Sequence, residues 1–284
     1  MMILVTGVNG QLGYDVCRVL SARGITHRGV DISDFDITDR EAVMNYVSAC
    51  RPNAIVHCSA YTAVDRAEDD ADACMRVNAD GMKHLAEAAA SVGAKLLAVS
   101  TDYVFAGEGE RPYETDDPTA PRSVYGKSKA IGEAHVRSIL DRHFIVRVSW
   151  LFGKNGNNFV KTMLRLSQTR SELSVVCDQI GSPTYSLDAA EVIADMVLTE
   201  RYGTYHVTNE GFCSWAEFAA EIMRLSGAST TVRPIPSSEY PARAPRPANS
   251  RMSKDSLTSA GFARLPHWKD ALARYLEEIK DITT

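Results

Sequence analysis

No apolar run in this 284-residue chain approaches the ~20 residues that a membrane-spanning helix requires. Also missing at the N-terminus is a basic segment followed by an apolar stretch and a small-residue cleavage site, and strand-like residues begin almost at Met1. A net charge of −5 lacks the basic excess that a nucleic-acid backbone or an anionic membrane attracts. Cys17, Cys50, Cys58, Cys74, Cys177 and Cys213 show neither the close pairing of a zinc site nor a disulfide framework. Several fall in apolar periodic runs, where cysteine packs as a small hydrophobe. Internal repeats and low-complexity tracts are absent too. These absences predict a soluble cytoplasmic protein with no nucleic-acid and no membrane partner. The length allows one large core, or a core and a smaller lobe.

What is present begins with MILVT, a short apolar strand, followed at once by GVNGQLG and a helical stretch. Gly7, Gly10 and Gly13 are spaced G-x-x-G-x-x-G, one residue longer than the dinucleotide fingerprint G-x-G-x-x-G. The physical demands are the same: Gly7 for a tight turn, Gly10 for approach of backbone to a pyrophosphate, Gly13 for close helix–strand packing. A helix N-terminus there offers free amides and partial positive charge to phosphates. The second strand ends at Asp31, where a carboxylate takes the adenosine ribose hydroxyls; it favours NADH and repels a 2′-phosphate. Arg28 is the nearest cation but lies within the strand. Asp36 and Ile37 are placed to line an adenine pocket, while Thr38 with Glu41 predicts a capping box for the next helix.

AIVHC (54–58) reads as another buried strand. The residues after it, Ser59 to Thr62, fall where loops at strand carboxyl ends line a ligand crevice. Asn78 stands inside the following helical stretch, facing water or buttressing the active-site strand. Strand and helix alternate over some 150 residues, which predicts a doubly wound parallel sheet of Rossmann type. Residues 1–150 form the expected dinucleotide-binding domain, with returning segments about 179–210. Residues 151–284 form a smaller C-terminal α/β lobe for substrate. There Ser214 and Glu217 predict a second capping box. The tract PIPSSEYPARAPRPANSRM reads as an ordered loop over the crevice, with Arg243, Arg246 and Arg251 available to a diphosphate.

The stretch 98–129 carries the chemistry. Tyr125 and Lys129 lie four apart in a helical segment, hence on one face. A lysine ammonium stabilises phenolate, so the pair predicts a tyrosine brought closer to working pH. Thr101, at a strand end, is placed to hydrogen-bond the same substrate oxygen that Tyr125 protonates. Tyr-x-x-x-Lys alone is a common pattern; its weight comes from the glycine turn upstream.

TGVNGQLG, AYTAVDRAE, STDYVFAG, YGKSK, RVSWLFG, GNNFVKTML, DQIGSPT and RPANSRM, in that order from residue 5 to about 252, resemble segments of the dTDP-4-dehydrorhamnose reductase family, within the extended short-chain dehydrogenase/reductases. The resemblance implies contacts of Gly10, Gln11 and Leu12 with the cofactor pyrophosphate. It places Asp31, Asp36 and Ile37 at the adenosine, and Ala60, Tyr61 and Thr62 along its middle. Thr101, Tyr125 and Lys129 become the catalytic set. Thr101, Asp102 and Trp150 become contacts to the sugar of a dTDP-sugar substrate. Beside the resemblance, Tyr103 is a further candidate substrate contact, and Asn157 or Asn158, with basic residues of the proline-rich loop such as Arg246, are candidates for the diphosphate. NADPH is the implied hydride donor; Asp31 leaves NADH open as a second. Some members dimerise around Mg²⁺, others are monomers, and here no carboxylate pair compels a metal, Glu191 being a single acid. A dehydratase would need a Glu after Thr101-Asp102, where Tyr103 stands. Another nucleotide-sugar reductase or an epimerase shares the Tyr–Lys pair. A non-catalytic subunit similar to the regulatory subunit of methionine adenosyltransferase would tolerate erosion of the catalytic set.

Overall fold

The computed structural model describes residues 1–283. Strand β1 (Ile3–Thr6) is buried at every position, as a parallel strand covered on both faces must be. It leads into α1 (Gln11–Ala22), β2 (His27–Val30), α2 (Arg40–Cys50) and β3 (Ala54–His57). Two short helices, α3 (Val64–Ala67) and α4 (Ala71–Met75), pass through a π-helical turn at Arg76–Asp80 into α5 (Gly81–Val92). Then come β4 (Lys95–Thr101), α6 (Val124–Ile139) and β5 (His143–Val148). The capping box expected from Thr38 does not form. Asp39 caps α2 instead, accepting the amides of Glu41 and Ala42, while the Thr38 amide is taken by Asp36. A carboxylate at N-cap satisfies those donors and interacts favourably with the helix dipole.

The second half adds β6 (Leu151–Phe152), α7 (Phe159–Ser167), β7 (Glu172–Val176), β8 (Ile180–Gly181), β9 (Thr184–Tyr185) and α8 (Ser186–Val197). It continues with β10 (Gly203–His206), β11 (Asn209–Glu210), β12 (Cys213–Ser214) and α9 (Trp215–Ser226). Last come β13 (Thr231–Ile235), α10 (Asp255–Ser259), β14 (Leu265–His267) and α11 (Trp268–Thr283). Ser214 and Glu217 form the reciprocal box that their spacing predicts.

Six parallel strands make the main sheet, in the order β10-β5-β4-β3-β1-β2. The direction of winding reverses between β1 and β3, which opens a crevice at their carboxyl ends. Helices α1 and α8 cover one face through Val16, Leu20, Ala189 and Ile193. Helices α2, α5 and α6 cover the other through Val43, Val47, Leu85 and Val136. The chain after residue 150 therefore returns to the first layer twice: α8 covers the sheet and β10 extends it. A separate apolar cluster, with Phe152, Phe218, Trp268 and Tyr275, holds α7, α9 and α11 together beside the crevice.

Candidate active site

The crevice is a cavity of about 760 Å³. At its floor the β1–α1 turn is as tight as glycine permits. Gly7 has φ 74°, and a Cβ on Gly13 would stand 2.3 Å from the Gly7 carbonyl oxygen. Gly10 is the N-cap of α1 and no side chain caps it, so the helix-start amides of the turn face the cavity with Gln11 and Leu12. Asp31 lines the same wall, accepting the Asn9 amide at 2.9 Å and its own neighbour's, that of Ile32. Asp36 and Ile37 lie beyond it on the cavity edge. Arg28 turns away and sits over the Tyr46 ring.

Ala60, Tyr61 and Thr62 line the cavity as well. Their loop is held by Asn78, which the π-helical turn directs inward. The Asn78 side chain accepts the Tyr61 amide at 2.9 Å and donates to the Tyr61 carbonyl at 3.1 Å. It also donates to Ser128 Oγ at 3.0 Å, and Ser128 donates to the Tyr125 carbonyl. One fully buried amide thus ties the loop at Tyr61 to the turn that carries Tyr125 and Lys129.

Tyr125, Lys129 and Thr101 all line the cavity. The expected lowering of Tyr125 is not what the surroundings impose. Burial pushes the phenol up, and the Thr101 hydroxyl only partly opposes this. Lys129, 2% exposed, is itself pushed down to about 8 by burial, with Glu133 one turn on pulling it back. Desolvation is the largest influence on both groups. Glu133 is held below the usual carboxylate range: burial alone would raise it, and the Arg147 guanidinium, bound through two hydrogen bonds of 2.8 and 2.9 Å, reverses that.

Asp102, Tyr103 and Trp150 line the same cavity. Trp150 has φ 48°, and its indole stacks on Trp215 with ring centroids 3.7 Å apart. Gly181 leaves room for that ring, since a Cβ there would stand 2.7 Å from it. Nothing in the spacing of the sequence pointed to Trp215; a helix-start tryptophan following a capping box was the available hint. Two diphosphate candidates are placed differently. Asn158 caps α7 and donates to Gln11 Oε1 at 3.1 Å, the Gly153 carbonyl at 2.9 Å and the Tyr275 hydroxyl at 3.0 Å, so its polar atoms are engaged within the protein. Arg246 pairs with Asp65 at 2.5 Å and donates to the Tyr103 hydroxyl at 3.1 Å. Arg243 pairs with Asp69, and Arg251 donates to Asn249. The Arg246–Asp65 and Arg243–Asp69 pairs tie the proline-rich loop to α3 and its flank, while the Arg251 contact stays within the loop. Glu191 pairs with Arg23, and no metal-holding cluster occurs among the described residues.

The cradle fits a dinucleotide. Gly7 and Gly13 let the turn close tightly beside it, since a Cβ on Gly7 would stand 2.6 Å from the Ser59 amide nitrogen and one on Gly13 2.3 Å from the Gly7 carbonyl oxygen, and the buried Tyr61 hydroxyl has no protein partner. A phosphate-binding turn at the switch point of a parallel sheet, with a Tyr-x-x-x-Lys pair in the same cavity, defines an extended short-chain dehydrogenase/reductase. The family described as RmlD substrate binding domain matches residues 1–281. A dTDP-4-dehydrorhamnose reductase of Streptomyces griseus is 43% identical over 276 residues, covering 95% of this chain and 91% of that one. The chain belongs to the dTDP-4-dehydrorhamnose reductase family. Its fold is similar to the crystal structure of such a reductase from Clostridium acetobutylicum, with TM-score 0.97 and 41% identity over 99% of this chain and 100% of that one. The Bacillus anthracis reductase in complex with NADP gives TM-score 0.95 and 43% identity over 98% and 99% of the two chains.

Proposed function

We propose that this chain reduces the 4-keto group of dTDP-6-deoxy-L-lyxo-4-hexulose to give dTDP-L-rhamnose, converting NADPH to NADP⁺. One observation carries the reading: the glycine turn, the Thr101–Tyr125–Lys129 set and the Trp150–Trp215 stack line a single cavity. The NADP complex of the Bacillus anthracis relative supports NADPH, and Asp31 makes NADH a second donor.

Bound NADPH supplies hydride to the ketone carbon. The residues present do the rest. The Gly7–Gly13 turn and the first amides of α1 hold the pyrophosphate, Asp31 the adenosine ribose, and Ala60 to Thr62 the span between. Tyr125 gives its proton to the ketone oxygen as charge develops there. A phenol that keeps its proton in the resting site is the form a reductase needs, and burial favours it. Lys129 stabilises the phenolate left behind. The Trp150 indole, braced by Trp215, packs the deoxyhexose. Residues 1–150, with α8 and β10, serve the dinucleotide and the remainder the sugar nucleotide. The reaction takes place in the cytoplasm, on a monomer or homodimer. The intact catalytic set supports an enzyme over a binding subunit.

The test is NADPH consumption with the keto-sugar nucleotide, followed by identification of the product sugar. Rhamnose is expected. No oxidation, a different sugar, or a tightly retained NAD that never exchanges would refute the reading.

A further inference from the structure

The loop between β6 and α7, residues 153–158, belongs to the second half of the chain but lies against the glycine turn of the first. Asn155 Nδ2 donates to the Asn9 carbonyl at 2.8 Å. Gly156, at φ 68°, packs against Gln11: a Cβ there would stand 3.6 Å from Gln11 Cγ. Asn158 Nδ2 donates to Gln11 Oε1 at 3.1 Å. Gly10, Gln11, Gly156 and Asn157 all line the cavity. The loop is pinned from its own side as well. Lys161 Nζ donates to the Lys154 and Gly156 carbonyls at 2.6 and 2.9 Å. The Tyr275 hydroxyl of α11 donates to the Gly153 carbonyl at 2.9 Å and accepts from Asn158 at 3.0 Å.

The orientation of the Asn158 amide is fixed by the helix it caps. Its Oδ1 accepts the Lys161 amide at 3.0 Å, and of the two amide ends only the oxygen can accept. Its nitrogen therefore faces Gln11, and a donor there admits only the Gln11 oxygen. Gln11 Nε2 is left with two hydrogens and, among the described residues, no hydrogen-bond partner. Gln11 is the first residue of α1, beside helix-start amides that no side chain caps, where an anion is favoured. We propose that Asn158 is a positioning residue for the dinucleotide: it holds Gln11 by its oxygen, so that the Gln11 NH2 is presented as a donor to the pyrophosphate. The proposal rests on the reading of the cavity as an NADPH site and makes the chain beyond residue 150 part of the cofactor grip. A hydrogen bond to an anion is stronger than a neutral one, so the end of Gln11 that faces the phosphates matters. Without the Asn158 donor, the Gln11 amide turns over and offers oxygen to the phosphates as readily as nitrogen.

Asn158→Ser keeps a side-chain oxygen for the α7 cap and deletes the donor to Gln11. NADPH binding, measured by calorimetric titration, weakens about three- to tenfold, and Gln11→Ala weakens it at least as much. In the Gln11→Ala background, Asn158→Ser costs no more than a further factor of about two, because its effect passes through Gln11. In ¹⁵N-glutamine-labelled protein the Gln11 NH2 resonance, assigned by its absence in Gln11→Ala, shifts on addition of NADPH, and shifts less in Asn158→Ser. Losses that multiply in the double variant make Asn158 a helix cap alone and overturn the proposal. Undiminished affinity in Gln11→Ala overturns it too, and that variant decides the matter if Asn158→Ser does not fold. Should the wild type bind NADPH but leave the keto-sugar unreduced, the functional reading fails, while the binding measurements still decide the part of Asn158.

Discussion

Glu133→Gln separates stability from catalysis at the pair behind Lys129. Glu133 and Arg147 are each 1% exposed in their side chains and share two hydrogen bonds, with Arg137 adding a third from the surface at 2.8 Å. Arg147 also lies over the Phe105 ring and donates to the Thr115 carbonyl at 3.2 Å, so it cannot leave for water without dismantling its surroundings. Removing one partner of such a pair strands a buried charge and costs about 3–5 kcal/mol, a large part of the ~5–15 kcal/mol that a folded protein holds. Urea unfolding should show that loss, and Glu133→Leu with Arg147→Met should lose less than the single variant, because no charge is stranded. Since Glu133 is held below its ordinary value, the pair contributes above the usual glutamate pKa and fades as pH falls through the lowered one. The same carboxylate is the largest influence raising Lys129 against burial. Without it Lys129 falls below about 8, and the ammonium that Tyr125 needs is lost earlier as pH rises. The basic limb of kcat/KM should therefore move to lower pH. A loss below about 1 kcal/mol would refute the desolvated-pair argument; an unmoved basic limb would reduce Glu133 to a structural role.

Tyr125→Phe should lower turnover by about 10²–10⁴-fold with NADPH affinity nearly unchanged; a variant keeping most of its turnover would remove Tyr125 as proton donor. Gly13→Ala puts a Cβ 2.3 Å from the Gly7 carbonyl oxygen, an overpacking of roughly 1–3 kcal/mol that α1 can relieve only by shifting away from the turn. Calorimetric titration should then show NADPH binding at least about tenfold weaker, and wild-type affinity would contradict the tight-turn account. Trp215→Ala takes away the stacking partner of Trp150, worth about 0.5–1.5 kcal/mol beyond area. The KM for the sugar nucleotide should rise several-fold with NADPH affinity held, and an unchanged KM would mean that the stack does not serve the sugar.

Much of this site is written in short-range pattern. The buried run before Gly7, the acid at the end of β2, the four-residue step from Tyr125 to Lys129 and the Ser214–Glu217 box each depend on residues within a turn or two, and each stands where the pattern puts it. Where two neighbours compete for one cap, as Thr38 and Asp39 do, the pattern alone chose the wrong one. The remainder is decided by chain segments that only folding brings together. Asn158 reaches Gln11 across 147 residues, Arg246 reaches Asp65 across 181, and Ser250 reaches Asp102 across 148. Trp215 finds Trp150 because Gly181 leaves space for the ring. The state of Tyr125 belongs to the same group. A lysine one turn away argues for an acidic phenol, but its effect depends on how much water both groups retain, and packing sets that. Local spacing determines which chemical groups share a helix face or a turn; burial, which no single segment possesses alone, decides their charge and their partners.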